Sequence, residues 1–361
     1  MRAVVLEKPN NFSIQEVDQP TPGRREVLCR VKAVTICGTD AHLFRGDYPG
    51  FWPPSFPFIP GHEWSGEIVQ LGEGAAELGW AVGDRVAGTS HDACGFCQKC
   101  VKGRYNLCEN YGDPAVHHQY GHNWQGAFAE YVVHGIKAVF KLPDELSFAE
   151  GALLDPASIA LHTANRGRVS AGDTVAVLGP GPIGLLAADA ARALAAGRVV
   201  VIGRGDRLAK AAKMSHEVVD YTAEDPVEAV RSLTGGLGPD VVLDCAGVTD
   251  SFRWGIAMLR KGGVCAAVGI PVEEVAMSIQ DLVLYEKELL GARASTGEMR
   301  DVMPLVVDGR IRVKELHTHT FSLTEFDEAF STFNERRDGA LKVIIEPWPN
   351  QVGQPAAVSL S

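Results

Sequence analysis

Four residues of this chain offer metal-binding chemistry at separate points. Cys37 lies in Ile36-Cys37-Gly38-Thr39-Asp40-Ala41-His42. His62 and Glu63 lie in Pro60-Gly61-His62-Glu63-Trp64, and Asp155 in Leu153-Leu154-Asp155-Pro156. One thiolate, one imidazole and one or two carboxylates form a mixed donor set. Such a set suits zinc and can leave a coordination position for water or substrate. Taken singly, each has a plainer role: Cys37 as a small core residue, His62 as a satisfied core histidine, Asp155 as a helix cap. Their combination with the features below gives them weight. Thr39 and His42 are three apart and share a face of a helical turn. A hydroxyl there can pass a proton onward and a neutral imidazole can receive it, while Thr39 can also cap the helix. Thr39, His42 and Glu63 are therefore the candidate catalytic groups.

Four further cysteines, Cys94, Cys97, Cys100 and Cys108, follow a C-x2-C-x2-C-x7-C spacing. Gly95, Lys99 and Gly103 supply a polar, pliable backbone that can wrap one ion. Four thiolates suit a closed tetrahedral zinc site, which does no chemistry because no position is open. A surface redox cluster and an iron–sulfur centre are the competing readings. A nucleic-acid-binding finger conflicts with the charge balance, 34 Lys plus Arg against 45 Asp plus Glu, net −11.

Gly179-Pro180-Gly181-Pro182-Ile183-Gly184 matches G-x-G-x-x-G and lies between a strand-like run, Thr174–Leu178, and a helix expected over Leu185–Ala196. In that context the glycines allow a tight turn, close approach to a pyrophosphate and close helix–strand packing. The alternative is an ordinary strand-to-helix turn. The next strand, Arg198–Ile202, ends at Gly203-Arg204-Gly205-Asp206-Arg207. A small residue with Arg204, Arg207 and Lys210 nearby suits a 2′-phosphate, so NADP(H) is expected. Asp206 is the rival, placed to bond a ribose hydroxyl and favour NAD(H).

Two kinds of element must position these groups. Up to about residue 150, short strands alternate with Gly and Pro: Val27–Val34, Gly66–Gly72, Asp84–Gly88 and Ala127–Val133. An irregular β-barrel is expected. Beyond Pro143, alanine-rich helices alternate with buried strands at Asp240–Asp244, Gly263–Val268 and Leu289–Ala292, the pattern of a parallel sheet with crossover helices. Lys342–Ile345 is again strand-like, and the tail is expected to be a partly mobile extension. Cys29, Cys245 and Cys265 read as buried strand residues. No apolar run reaches the roughly 18–20 residues of a membrane span, and no signal-peptide pattern opens the chain, so the expected location is the cytoplasm. Neither nucleic acid nor membrane is an expected partner.

Together these residues resemble the zinc-dependent medium-chain dehydrogenase/reductase (alcohol dehydrogenase) family, over roughly residues 1–347. The signatures are Gly61-His62-Glu63, the four-cysteine lobe and the glycine loop. The resemblance implies a GroES-like β-barrel catalytic domain (residues 1–150, with the zinc lobe at about 91–110). It also implies a Rossmann doubly wound α/β domain (151–296), a return to the catalytic domain (297–347) and a tail (348–361). It implies two zinc ions per chain: a catalytic one on Cys37, His62 and Asp155, with Glu63 joining or leaving, and a structural one on Cys94, Cys97, Cys100 and Cys108. It implies alcohol–carbonyl interconversion with NADP(H) or NAD(H), a Thr39–His42 proton relay, and a homodimer or homotetramer.

Cys37–His42 and Asp155-Pro156 look most like threonine and sorbitol dehydrogenases, and Pro60–Gly66 is also similar to aminocyclitol dehydrogenases. Ordinary alcohol dehydrogenases carry a Cys where Asp155 stands. His91 matches a histidine near the substrate in threonine dehydrogenases. Tyr48–Phe58 and Asn110–Gly126, with Trp52 and Trp124, depart from the plain pattern. They read either as loop packing or as the walls of a modified substrate pocket. The expected substrate is a small polyol, cyclitol or amino alcohol. The alternatives are an aldehyde or ketone reductase of a biosynthetic pathway, a non-catalytic protein of the same fold, and a zinc-independent reductase.

Overall fold

A computed structural model of the chain describes residues 1–348, except 215, 216 and 272. Of the expected mobile extension, 348–361, all but Trp348 lies outside the described residues. The first part carries strands β1 (Arg2–Lys8), β2 (Asn11–Glu16), β3 (Glu26–Thr35), β4 (Glu63–Leu71), β5 (Arg85–Gly88), β6 (His91–Asp92), β7 (His118–Gln119), β8 (Tyr131–Gly135) and β9 (Val139–Lys141). The middle carries β10 (Thr174–Leu178), β11 (Arg198–Gly203), β12 (Glu217–Asp220), β13 (Val241–Asp244), β14 (Val264–Ala267) and β15 (Glu288–Gly291). Strands β16 (His317–Ser322) and β17 (Lys342–Glu346) close the chain's described part.

The larger sheet runs β16-β17-β3-β4-β5-β9, with β8 on the other side of β3. Its pairs are antiparallel except β16 with β17. Alternate residues of β3, Val27, Cys29 and Val31, enter one core with Trp64, Ile68, Val86, Phe128 and Ile345, as the two-residue period of a strand requires. Register shifts after Leu28 and Val31 bend this long strand. The run Ala127–Glu130 is not part of β8. Its amides go elsewhere: Ala127 donates to the Gly61 carbonyl, Phe128 to that of Pro60 and Glu130 to that of Arg2. The segment thereby clamps the turn that delivers His62. Gly61 has φ 94°, and a Cβ there would fall 2.7 Å from the Phe128 nitrogen, so only glycine makes this turn.

The second sheet has the order β12-β11-β10-β13-β14-β15 and is parallel throughout. Val175, Val177, Val199, Val201 and Leu243 face one core, while Ala176, Leu178, Val200, Ile202 and Val242 face another. Helices cover both faces, so the strands are apolar on both. Strand order reverses between β10 and β13, which opens a crevice at their C-terminal ends. The helix expected over Leu185–Ala196 spans Pro182–Ala193. Gly181 is its N-cap, and Pro182, having no N–H to satisfy, is pre-set for the first position.

The helix Leu154–Arg166 joins the two parts, burying Ala157, Ala160, Leu161 and Ala164 in a core shared with Leu142, Leu185 and Val302. The helix Glu298–Val307 packs Met299, Val302 and Met303 into that same core. The chain rejoins the larger sheet with β16 at His317. Trp348 then docks on the barrel: its Nε1 donates to the Val31 carbonyl at 2.9 Å, and Arg30 lies 4.0 Å above its ring.

Among the described residues, no helix is long and apolar enough to cross a membrane.

Candidate active site

Cys37 ends the segment after β3 and N-caps the helix Gly38–Arg45. Its backbone N–H donates to Asp40 Oδ2 at 2.8 Å, so the carboxylate is fixed one turn into the helix. The other oxygen, Oδ1, lies 3.5 Å from His62 Nδ1. A carboxylate behind an imidazole orients the ring and fixes which nitrogen faces a metal. Ligand atoms of Cys37, His62 and Glu63 lie within 4.8 Å of one another. Glu63 opens β4 and is fully buried. Thr35 and Lys342 both donate to its Oε2. Burial opposes ionisation of Glu63, yet Lys342, His62 and Thr35 outweigh it and hold the carboxyl below its usual range.

Asp155 stands outside that close group of three. It sits in the first turn of the helix Leu154–Arg166, buried, with Oδ1 accepting from Thr89 Oγ1 at 3.0 Å. Burial pushes its carboxyl up to about 6, partly offset by the nearby His62. Its Oδ2 and Glu63 Oε1 are buried with no hydrogen-bond partner. Buried carboxylate oxygens without donors are costly, and a dication among them removes that cost. The orphaned oxygens, the Cys37 thiol and the braced His62 ring fit zinc.

Thr39 Oγ1 lies 3.9 Å from Cys37 Sγ. His42, one turn on, engages Asp47 Oδ2 through Nδ1 at 2.7 Å. Asp47 also accepts from Arg45, and these two partners hold its carboxyl low. The imidazole is half-buried.

Sγ atoms of Cys94, Cys97, Cys100 and Cys108 also lie within 4.8 Å of one another. Cys97 and Cys100 N–H groups donate to the Cys94 and Cys97 sulfurs at 3.4 Å, as does Glu109 N–H to Cys97. Burial opposes it, but the N–H groups of Cys97 and Phe96 hold the Cys94 thiol down to about 6, whereas burial pushes Cys100 up to about 12. Four close sulfurs cannot all ionise without a cation between them, and all eight cysteines are free of disulfides. This set too fits zinc.

The glycine loop leaves β10 and enters the helix Pro182–Ala193. A Cβ on Gly184 would fall 1.8 Å from the Gly179 carbonyl oxygen, so the helix approaches as the motif requires. A Cβ on Gly181 would meet only Arg207 Nη1, 3.9 Å away. A cleft of about 480 Å³ is lined by Gly181, Pro182 and Ile183 on one wall and by Cys37, Thr39, His42 and Trp52 on the other. A second cavity of about 400 Å³ continues past Gly179 and Gly181 to Arg204, Arg207, Tyr221 and Arg336. Gly203 packs on Pro180, where a Cβ would fall 2.3 Å from Cγ, so its small size serves the glycine turn. Lys210 is turned away, paired with Glu315 at 2.6 Å, and Asp206 does not line the cavity.

The two aromatic loops meet. Trp52 Nε1 donates to Tyr111 Oη at 2.6 Å, and the Tyr111 hydroxyl donates to Gln119. His122 bridges Trp52 and His62, its ring centroid 4.9 and 4.3 Å from theirs. His91 is buried beside His117 and Tyr111. Trp124 is 39% exposed, stacks on His118 and shares an outer cavity with Tyr111 and His117. Sequence reasoning missed Asp40, Thr35, Thr89, Lys342 and Arg336. Only Asp40 had a local signal, three residues after the helix-capping Cys37.

Residues 23–144 match the model of the alcohol dehydrogenase GroES-like domain, and residues 182–308 that of the zinc-binding dehydrogenases. A sorbitol dehydrogenase of Halalkalibacterium halodurans is 34% identical over 343 residues, covering 93% of this chain and 96% of that one. An L-threonine 3-dehydrogenase of Paraburkholderia xenovorans is 33% identical, covering 94% and 97%. Among solved structures, a zinc-binding dehydrogenase of Sinorhizobium meliloti 1021 bound to NADP is 33% identical, with TM-score 0.87 and coverage of 96% and 99%. A metal set with unpartnered donor oxygens, a glycine loop across the cleft from it and these likenesses agree: the chain belongs to the zinc-dependent medium-chain alcohol and polyol dehydrogenases.

Proposed function

We propose that this enzyme interconverts a small polar secondary alcohol, a polyol, cyclitol or amino alcohol, and its ketone, with NADP(H) as the preferred cofactor and NAD(H) as the alternative. The observation that carries the reading is the single cleft shared by the Cys37 donor set and the glycine loop. Cys37 and His62, with Asp155 and Glu63, would hold the catalytic zinc; Cys94, Cys97, Cys100 and Cys108 would hold the structural one. Bound in these places, zinc supplies Lewis-acid polarisation of the substrate oxygen, and the nicotinamide gives or takes the hydride.

The chain's own residues do the rest. Thr39 Oγ1 takes the substrate hydroxyl proton during oxidation and returns it during reduction. His42, anchored on Asp47, moves that proton between the cleft and solvent. Trp52 and Tyr48 exclude water from the cleft. Gly181 and the first turn of Pro182–Ala193 receive the pyrophosphate. Arg204, Arg207 and Arg336 converge on the adenosine-side cavity. Burial and the neighbouring Arg336 push the Arg207 guanidinium down to about 10, and a dianionic 2′-phosphate relieves that strain. The NADP-bound relative supports the same choice.

Residues 1–150 and 297–347 would serve metal and substrate, and 151–296 the cofactor. Assembly as a homodimer or homotetramer is supported by the helix Ile279–Tyr285. It exposes Ile279, Val283 and Leu284 by more than 60% and precedes β15, the edge strand of the parallel sheet. The free cysteines support a reducing, cytoplasmic setting.

The test is an absorbance screen at the NAD(P)H band with polyols, cyclitols, amino alcohols and simple secondary alcohols, run with each cofactor alongside zinc analysis. Turnover with two zinc ions per chain is expected. No turnover with any substrate, or one zinc per chain, overturns the reading.

A further inference from the structure

Behind Trp52 lies a group of buried donors that the proton relay and metal set leave unused. His91, in β6, and His117, just before β7, are 2% and 1% exposed, and neither ring nitrogen of either has a hydrogen-bond partner. Their ring centroids are 5.8 Å apart. Arg293, just past β15, arrives from the cofactor side. Its Cζ lies 4.6 Å from the Tyr111 ring, and its Nη2 is buried without a partner. Asn106 Nδ2 donates to the Arg293 carbonyl at 2.6 Å and pins the backbone there. His117 and Tyr111 also line a cavity of about 650 Å³ between the two aromatic loops, with Phe51 and Trp124.

The charges around this group are one-sided. His91 feels Arg293, His117 and His62, and His117 feels His118, Arg293 and Asp92. Asp92, the one carboxylate in that set, is paired with Lys137 at 2.8 Å. Among the described residues, Arg293 has no carboxylate partner. Burial first, then Arg293, pushes His91 down to about 3, and burial first, then His118, pushes His117 down to about 4. Both imidazoles are therefore neutral, each offering an N–H beside a permanent cation. Unpaired buried donors cost free energy, and a partly buried guanidinium without a counter-charge costs more. A cation is repelled here. A neutral hydroxyl answers the imidazoles but not the guanidinium, while an anion answers all three.

We propose that the substrate carries an anionic group, a carboxylate or a phosphate, held by His91, His117 and Arg293. The inference rests on the dehydrogenase reading above and narrows its substrate class. The histidines would grip through N–H donors and Arg293 through charge, with the carbinol end directed past Trp52 and His122 toward the metal set.

The test measures binding to the zinc-loaded chain with NADP⁺ at pH 7 by calorimetry. Two ligand series share a carbon frame and differ in charge: glycerol, glycerate and glycerol 3-phosphate; sorbitol, gluconate and sorbitol 6-phosphate. In at least one series an anionic member should bind tenfold or more tighter than the neutral one, and which anion wins separates carboxylate from phosphate. Arg293→Met should cut that ratio below threefold, with Arg293→Lys restoring part of it. His117→Gln, which keeps an N–H donor but moves it, should lower the ratio independently. Equal affinity for neutral and anionic members in both series overturns the proposal. So does an anion preference that survives both variants, because the anion then sits on another group. Failure of the dehydrogenase reading looks different: no probe and no matching ketone changes NADP(H) absorbance, whatever the anion affinities.

Discussion

The ammonium of Lys342 donates to Glu63 Oε2 in the interior of the protein, across 279 residues of chain. Both side chains are almost wholly shielded from water. Lys342 opens β17 and Glu63 opens β4, and each is next to β3 or paired with it. The pair therefore locks the last strand to the edge of the metal set. Lys342→Met leaves Glu63 buried and charged without its partner, and loss of one member of a buried pair costs about 3–5 kcal/mol. Urea unfolding of Lys342→Met should show that loss. The double variant with Glu63→Gln should recover part of it, because no lone charge remains.

Cys37→Ser should remove one zinc per chain and abolish turnover while NADP(H) binding persists. Retained turnover with bound cofactor contradicts the catalytic-zinc assignment. Metal analysis and cofactor fluorescence read the two effects separately.

Cys100→Ala in the four-cysteine lobe should also remove one zinc, with a different outcome. Structural zinc contributes folding free energy directly, so the melting temperature falls, on the order of several kcal/mol in stability. The folded fraction should keep its turnover number, because this lobe offers no open coordination position.

Thr39→Val and His42→Ala should lower kcat by roughly 10²–10⁴-fold, the usual worth of a positioned proton carrier. His42→Ala should also change the pH profile of kcat. A profile left unmoved, with kcat within twofold of the parent, removes the relay. Arg204→Ala should weaken NADP(H) by about 10-fold or more, as loss of a charge-assisted bond implies, and leave NAD(H) nearly unchanged.

Stability at acid pH should depend on Glu298. It accepts from His162 Nδ1 at 2.8 Å and from the Thr296 N–H. Burial opposes its ionisation, yet these donors bring the carboxyl from 4.5 down to about 2. A carboxyl lowered on folding stabilises the native state above its unfolded pKa and loses that effect as pH falls through the folded value. Glu298→Gln should therefore cost on the order of 1–2 kcal/mol at pH 7. It should also flatten the acid limb between pH 4.5 and 2, as followed by denaturant titrations at stepped pH.

Groups whose signal lies in local spacing were legible in the chain. The four cysteines sit within 15 residues and the glycine loop within six, so sequence order alone brings each set together. Strands such as Val175–Leu178 and Val199–Ile202 announced themselves because both faces are buried. What sequence did not disclose are partners recruited by topology. Lys342 reads as the polar position of an apolar strand, yet it faces inward to Glu63. Arg336 comes from the end of the helix Phe326–Glu335 to the cofactor side, and Arg293 crosses the opposite way. Asp155, buried near His62 and Glu63, owes its position to Thr89, a partner that chain order does not announce. Gly203 lines the cavity of Arg204 and Arg336 and also makes room for Pro180.

The parallel sheet is encoded wholly between residues 174 and 291, whereas the larger sheet needs β3 and β17 from opposite ends of the chain. The larger sheet is therefore the one that depends on residues far apart in the chain. Glu63 meets Lys342 only once β17 has paired with β3, so docking of that strand and completion of the metal set's surroundings are one event.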